Sequence, residues 1–160
     1  MNVAYVGSPS ILLESCPSHR HNLWEIILNL EGSGTAFMGD EEYDFYPGTI
    51  FCLSPYIPHC KTSSGKFKDI YIMLEELPFN DDVLVFSDDD DKSFETLMVL
   101  AYKYFHKKDN NYDSIVDSLA NSMHQILLSK MDQLTKLYSL LQKNMQKQNI
   151  IIKVVLIIII

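Results

Sequence analysis

Three histidines and one glutamate are the side chains of this sequence best suited to chemistry. His19 and His21 are one residue apart, and Glu25 follows four residues later. Side chains alternate along a strand, so these three residues are expected to face the same side. His59 closes a later, proline-rich segment at residues 55–59. Three imidazoles and a carboxylate suit Zn, Fe, Mn or Ni. The set predicts either a divalent metal site or a polar pocket that binds water or a small molecule.

Short strands are expected to position these side chains. The apolar and alternating segments predict strands at residues 24–30, 35–38, 42–46, 49–53 and 69–74. Gly39-Asp40 and Pro47-Gly48 are typical of the turns that join them. Many short strands at even spacing favour a barrel or jelly roll, so the chain is predicted to be mainly β with an α-helical extension.

The second half of the chain changes character. Residues 81–91 are predicted to be an acidic linker, and residues 92–148 carry apolar residues at helical spacing. The apolar stripe can pack on the barrel or on a second copy. The residues predicted for a homodimer interface are Ile115, Leu119, Met123, Ile126 and Leu127. The apolar tail at 149–160 is shorter than the roughly 20 residues of a membrane helix, and we interpret it as a truncation or an altered reading frame.

Charge and cysteine content limit the classes of function. The formal net charge is −8 and the sequence contains one arginine, Arg20, which argues against direct binding of nucleic acid by this chain. The three cysteines are widely spaced and form no zinc-type pair, so a reducing cytoplasm is expected. The N-terminus does not resemble a signal peptide, and no membrane association is predicted.

The histidine spacing resembles the cupin superfamily. His19, His21, Glu25 and Gly32 fit the gaps of the first cupin motif. The second motif is partial, because Gly48 and His59 keep its overall length while other positions depart from it. The departures from the cupin motifs are Leu13, Ser54, Tyr56 and Ser63, which stand at the positions of a glycine, a proline, a glycine and an asparagine.

More narrowly, the chain resembles the N-terminal sensor domain of AraC-type transcription regulators. The resemblance is carried by residues 19–34, by Tyr43 with residues 47–48, and by residues 55–59, and it covers about residues 10 to 135. It implies a cupin double-stranded β-helix at 1–80 that binds an effector. It also implies a helical dimerisation extension at 92–148 and a separate helix-turn-helix domain, absent from this sequence, that binds DNA.

The effector implied by the resemblance is a small polar metabolite, such as a sugar. The residues predicted to bind it are His19, His21, Glu25, Ile27, Asn29, Phe37, Phe51, His59 and Tyr71. The set His19, His21, Glu25 and His59 would hold the metal if one binds, and no catalytic residue is assigned. A small metal-dependent cupin enzyme, such as a dioxygenase or an isomerase, is the alternative function. A third alternative is a fragment that only dimerises.

Overall fold

The computed structural model describes residues 1–147, with side chains as far as residue 143, and the predicted tail at 149–160 lies outside the described residues. Within residues 1–147, eight strands precede two helices. The strands are β1 Val3–Gly7, β2 Leu13–His19, β3 Trp24–Glu31, β4 Gly34–Met38, β5 Glu41–Phe45, β6 Thr49–Leu53, β7 His59–Leu74 and β8 Val83–Ser87. The helices are α1 Ser93–Lys107 and α2 Tyr112–Lys147.

The strands form one curled antiparallel sheet in the order β5-β4-β7-β3-β6-β8, and β1 and β2 also pair with β7. The 16-residue strand β7 joins the two halves of the sheet. Its residues 59–67 pair with β2 and β4, whereas residues 68–74 pair with β1 and β3. The sheet therefore curls into a half-barrel, and the two helices follow it, which confirms the predicted mainly β architecture with an α-helical extension.

Alternation along the strands separates two apolar layers. On β3, Ile26 and Leu28 pack in a core that includes residues of both helices. Ile27 belongs to a second cluster inside the curl, and Glu25 and Ile27 line the cavity there. The strand thus has one face toward the helices and one toward the interior, as its sequence pattern predicts.

The predicted acidic linker at 81–91 contains a strand. β8 pairs antiparallel with β6 along its length, and Phe86 is buried. The Val-Leu-Val-Phe segment has strong β propensity. It was not predicted as a strand because it is short and lies between runs of aspartate that are typical of a linker. The flanking acids have a local role, since Asp88 accepts hydrogen bonds from the backbone N–H groups of Phe94 and Glu95 at the start of α1.

The predicted dimer interface on α2 is wrong in part. Met123 and Leu127 are fully buried in the core of this chain, so they are not available to a partner. Leu119 and Ile126 are partly buried against the same core, and Ile115 is partly buried. A helical apolar stripe looks the same in sequence whether it contacts the chain's own sheet or a second copy. None of the described helices is long and apolar enough to cross a membrane.

Candidate functional site

A cavity of about 230 Å³ lies inside the curled sheet. Its lining consists of Pro9, Leu13, Cys16, His19, Glu25, Ile27, His59, Cys60, Lys61, Asp69, Tyr71 and Met73. Five of the nine residues predicted to bind an effector are in this set: His19, Glu25, Ile27, His59 and Tyr71. Strands β3 and β7 supply most of the wall, because alternate residues of each strand face inward.

The other four predicted residues are not part of this lining. His21 lies next to it and contacts Glu25. Asn29 is fully buried and accepts a hydrogen bond from Lys61, and Phe51 belongs to the interior apolar cluster. Phe37 is 40% exposed, so its assignment to the wall is wrong. Its neighbours on β4, Ala36 and Met38, are the inward-facing residues, and alternation places Phe37 on the outer face.

The three histidines converge although they do not share a strand. His19 ends β2, His21 follows in the connection to β3, and His59 begins β7 directly opposite His19. The alternation expected from His19 to Glu25 is therefore interrupted by the connection between β2 and β3. The backbone N–H of Tyr56 donates to the carbonyl of His21 over 2.7 Å and ties this connection to the proline-rich corner. One ring nitrogen from each histidine lies within 4.8 Å of the other two.

Each histidine is oriented by a backbone carbonyl two residues away. A carbonyl oxygen only accepts hydrogen bonds, so the Nδ1 atom of each ring carries the proton and Nε2 is left as the potential ligand atom. The Nδ1–H groups donate from His19 to Pro17 over 2.9 Å, from His21 to Leu23 over 3.0 Å and from His59 to Ile57 over 2.9 Å. Histidines that bind metals are commonly oriented in this way.

Glu25 lies between two of these rings and is 4% exposed. Its Oε2 atom is 3.0 Å from Nε2 of His21 and 3.1 Å from Nε2 of His59. The His59 contact is close, but its geometry is not that of a hydrogen bond, and this buried Nε2 has no hydrogen-bond partner in the described part of the chain. Because Nδ1 of both rings is already a donor, a positive group is needed between Nε2 and the carboxylate. That group is either a second proton on the ring or a cation.

The pKa values of the two buried partners shift in the directions expected for such a pair. Burial acts to raise the pKa of Glu25, but the close contacts and charge interactions with His59 and His21 hold it below its ordinary value. Burial acts to lower the pKa of His59, and contact with Glu25 nevertheless raises it. The unpartnered Nε2 of His59, the oriented rings and the ionised carboxylate fit a divalent transition metal.

A buried ion pair in the cavity wall was not predicted from the sequence. The Nζ atom of Lys61 donates to Oδ1 of Asp69 over 2.6 Å and to Oδ1 of Asn29 over 3.2 Å. It also lies 3.9 Å from the centre of the Phe45 ring. Burial lowers the pKa of Lys61 and raises that of Asp69, and the attraction between the two charges opposes both shifts. Strand alternation could have indicated this pair. Lys61 is two residues from His59, and Asp69 is two residues from Tyr71, so each is expected to lie on the same face as that cavity residue.

Comparisons with known proteins found a matching family model and distantly similar solved structures. The family model described as the AraC-like ligand binding domain matches residues 12–73. No match is found among curated proteins. Among solved structures, a conserved protein of unknown function from Streptococcus pyogenes is 17% identical, with a TM-score of 0.38, over 45% of this chain and 62% of that chain. A cupin superfamily protein from Desulfitobacterium hafniense is 21% identical, with a TM-score of 0.38, over 44% of this chain and 64% of that one.

Oxalate decarboxylase from Bacillus subtilis is 15% identical, with a TM-score of 0.38, over 49% of this chain and 23% of that chain. The alignments span less than two thirds of each of these three chains. The family match covers β2 to β6 and nearly all of β7, which together supply most of the cavity wall. Residues 12–73 of this chain are therefore similar in sequence to the AraC-like ligand binding domain.

Proposed function

We propose that this chain is the effector-sensing domain of an AraC-type transcription regulator and that a small polar molecule binds in the cavity. The observation that carries the proposal is the cavity itself, inside the segment that matches the ligand-binding family. Apolar walls combined with a few convergent polar groups are typical of small-molecule sites. His19, Glu25, Ile27, His59 and Tyr71 would contact the effector directly, whereas His21, Asn29 and Phe51 would support the site from behind.

The fold offers a route from the cavity to the helices. Ile27 lines the cavity, while the adjacent Ile26 packs in the core shared with α1 and α2. A ligand that moves β3 or β7 would therefore change the packing of the helices. Such a ligand shifts the equilibrium only by its difference in affinity for the two arrangements.

We propose that this change in helix packing controls homodimerisation. The second half of α2 carries an apolar stripe at three- and four-residue steps, formed by Leu134, Leu137, Tyr138 and Leu141, each 47–53% exposed. This spacing is suited to pairing with a second helix. The stripe replaces the interface predicted around Met123 and Leu127. DNA would be contacted by a separate domain, and the chain would act in the cytoplasm without binding a membrane.

A ligand screen with a blocked cavity tests the proposal. A panel of small metabolites is assayed by thermal unfolding against the wild type and a Met73→Trp variant, whose indole would fill the cavity. The same substitution at Val99, an exposed position on α1, is the control. Compounds that raise the Tm of the wild type and of Val99→Trp should not raise that of Met73→Trp. Equal stabilisation of all three proteins would place the ligand elsewhere and contradict the proposal.

A metal-dependent cupin enzyme is the second candidate, favoured by the three oriented histidines beside Glu25. His19, His21, His59 and Glu25 would hold the ion, which would supply a Lewis acid to a bound substrate. Elemental analysis of the purified protein, with His21→Ala as control, measures the metal. Stoichiometric metal that is lost in the variant, together with turnover of a small substrate, would favour the enzyme over the sensor.

A further inference from the structure

Two hydrogen bonds fix the N-terminal segment, residues 1–3, to α2. The Met1 ammonium donates to Oδ1 of Asn121 over 3.4 Å, and the backbone N–H of Val3 donates to Oδ1 of Asp117 over 2.9 Å. Strand β1 starts at Val3 and pairs with residues 71–74 of β7, a stretch that also supplies part of the cavity wall. The contact between residues 1–3 and α2, called the N-terminal seam below, therefore holds a strand that backs the cavity.

His124 lies at this seam with one ring nitrogen unpaired. It follows Asn121 by three residues on α2, so the two side chains share a face of the helix. Its ring centre is 5.4 Å from that of Phe79, a buried residue of the connection between β7 and β8. The Nε2 atom of His124 is buried and has no hydrogen-bond partner among the described residues. This side of the ring therefore meets an apolar neighbour instead of an acceptor.

The closed seam accommodates the neutral ring of His124 better than the charged one. In the neutral ring Nδ1 can carry the proton, and Nε2 keeps an unpaired lone pair. In the imidazolium, Nε2–H is a charged donor that is buried without an acceptor, which costs free energy. The Met1 ammonium adds a like charge nearby, so that burial and this charge both lower the pKa of His124.

No carboxylate at the seam compensates for the positive charge of an imidazolium. On α2, Asp117 accepts the backbone N–H of Val3. At the end of β7, Glu75 accepts a hydrogen bond from the side chain of Asn2 over 3.0 Å. Within residues 1–147, the Met1 ammonium is the charged group that acts on the pKa of His124. The local charges therefore oppose protonation of this ring while the seam is closed.

We infer that His124 is a proton-sensitive latch: its neutral ring keeps the N-terminal seam closed, and its protonation releases residues 1–3 from α2. In the open arrangement the ring meets water and the Met1 ammonium moves away, so the open state binds the proton more tightly than the closed state. The stabilisation of the closed seam is therefore complete above the ordinary histidine value of 6.5 and is lost as the pH falls below it. This inference does not depend on the proposed function, because no ligand takes part in it.

Hydrogen–deuterium exchange of residues 1–7 in the full chain measures the opening of the seam, expressed as protection factors. If the ring of the open state titrates near pH 6.5, a decrease from about pH 7.5 to 5.5 favours opening by at most about tenfold. The wild type should therefore lose about threefold to tenfold in protection. In His124→Phe, which keeps a ring against Phe79 but binds no proton, protection should not fall. Unchanged protection in the wild type, or an equal loss in both proteins, would overturn the inference.

An NMR titration of the His124 ring keeps the inference testable even if His124→Phe does not fold. The midpoint in the wild type should lie below pH 6.5. Asn121→Asp places a carboxylate beside the Met1 ammonium and one turn from the ring, so it should raise this midpoint. Asn110→Asp, which adds the same charge at an exposed position before α2, is the matched control and should leave the midpoint unchanged. A wild-type midpoint at or above 6.5, or an equal midpoint in Asn121→Asp, would contradict the latch.

Discussion

Replacing Lys61 with methionine should strongly destabilise the fold. The Lys61 and Asp69 side chains are 3% and 11% exposed, and Nζ lies 2.6 Å from Oδ1. Methionine preserves much of the packing against Phe45 but leaves the Asp69 carboxylate without its cation. Asn29 Oδ1 loses a donor at the same time, although its amide still donates to the carbonyl of Gly32.

The size of the effect follows from the burial of the pair. At an effective dielectric constant of about 20, two unit charges 2.6 Å apart attract by roughly 6 kcal/mol, much of which is offset by the cost of removing both from water. Removing one partner leaves the other charge uncompensated, at a cost of about 3–5 kcal/mol. The double variant Lys61→Met/Asp69→Leu has no unpaired charge and should be more stable than Lys61→Met alone.

Urea unfolding, followed by the fluorescence of the single tryptophan, Trp24, measures these differences. Lys136→Met is the control because Lys136 and Asp132 form an exposed pair on α2, with side chains 71% and 60% exposed. Its loss should change the free energy of unfolding by less than about 0.5 kcal/mol. If Lys61→Met costs no more than the control, or if the double variant is the least stable protein, the described burial of the pair is incorrect.

Three further predictions concern the histidines and α2. Zn²⁺ should bind to the wild type and not to His21→Ala. The affinity for Zn²⁺, measured by calorimetry, should fall as the pH decreases below about 6.5, because protons compete for the ring nitrogens. Binding that does not depend on pH would contradict ligation by histidine. The raised pKa of His59 means that the metal-free folded state binds its proton more tightly than the unfolded state, so this stabilisation is complete below the ordinary value of 6.5. This stabilisation should be lost as the pH rises through the higher pKa of His59 in the folded state. Urea unfolding at a series of pH values should therefore show a decline in stability for the wild type and no such decline for His59→Gln. An identical decline in both proteins would assign the effect to another group. Leu137→Glu should convert a dimer into a monomer in sedimentation velocity, whereas Leu128→Glu, outside the stripe, should not; a wild type that is monomeric at all concentrations would exclude the interface.

The sequence predicted the parts of the fold that depend on local pattern. The strand predicted at 49–53 has the bounds of β6, and the strand at 24–30 falls one residue short of β3. Apolar residues in these strands are dense, so alternation and turns define them well. The inward direction of Glu25 and Ile27 follows from the same alternation. The convergence of His59 with His19 also agrees with the motif spacing, although the intervening turn was not expected.

Features that depend on tertiary packing were not predictable. Only residues 69–74 of β7 were predicted, because its first half is polar and lacks clear alternation. The Lys61–Asp69 pair forms across the bend of that strand, and eight residues of sequence separation do not reveal such a contact. Likewise, Met123 and Leu137 occupy equivalent apolar positions in the helical pattern. Only the position of the sheet determines that the first is buried and the second exposed.

The most direct test of the central claim, that the cavity is the ligand site, is a ¹H–¹⁵N NMR titration of the chain. The titrant is a compound that stabilises the wild type in the metabolite screen. Binding in the cavity predicts that the largest shifts occur on β3 and β7, at the amides of Ile27, Asp69 and Tyr71. Shifts confined to the outer groove at Val85 and Met131, between β8 and α2, would contradict the claim.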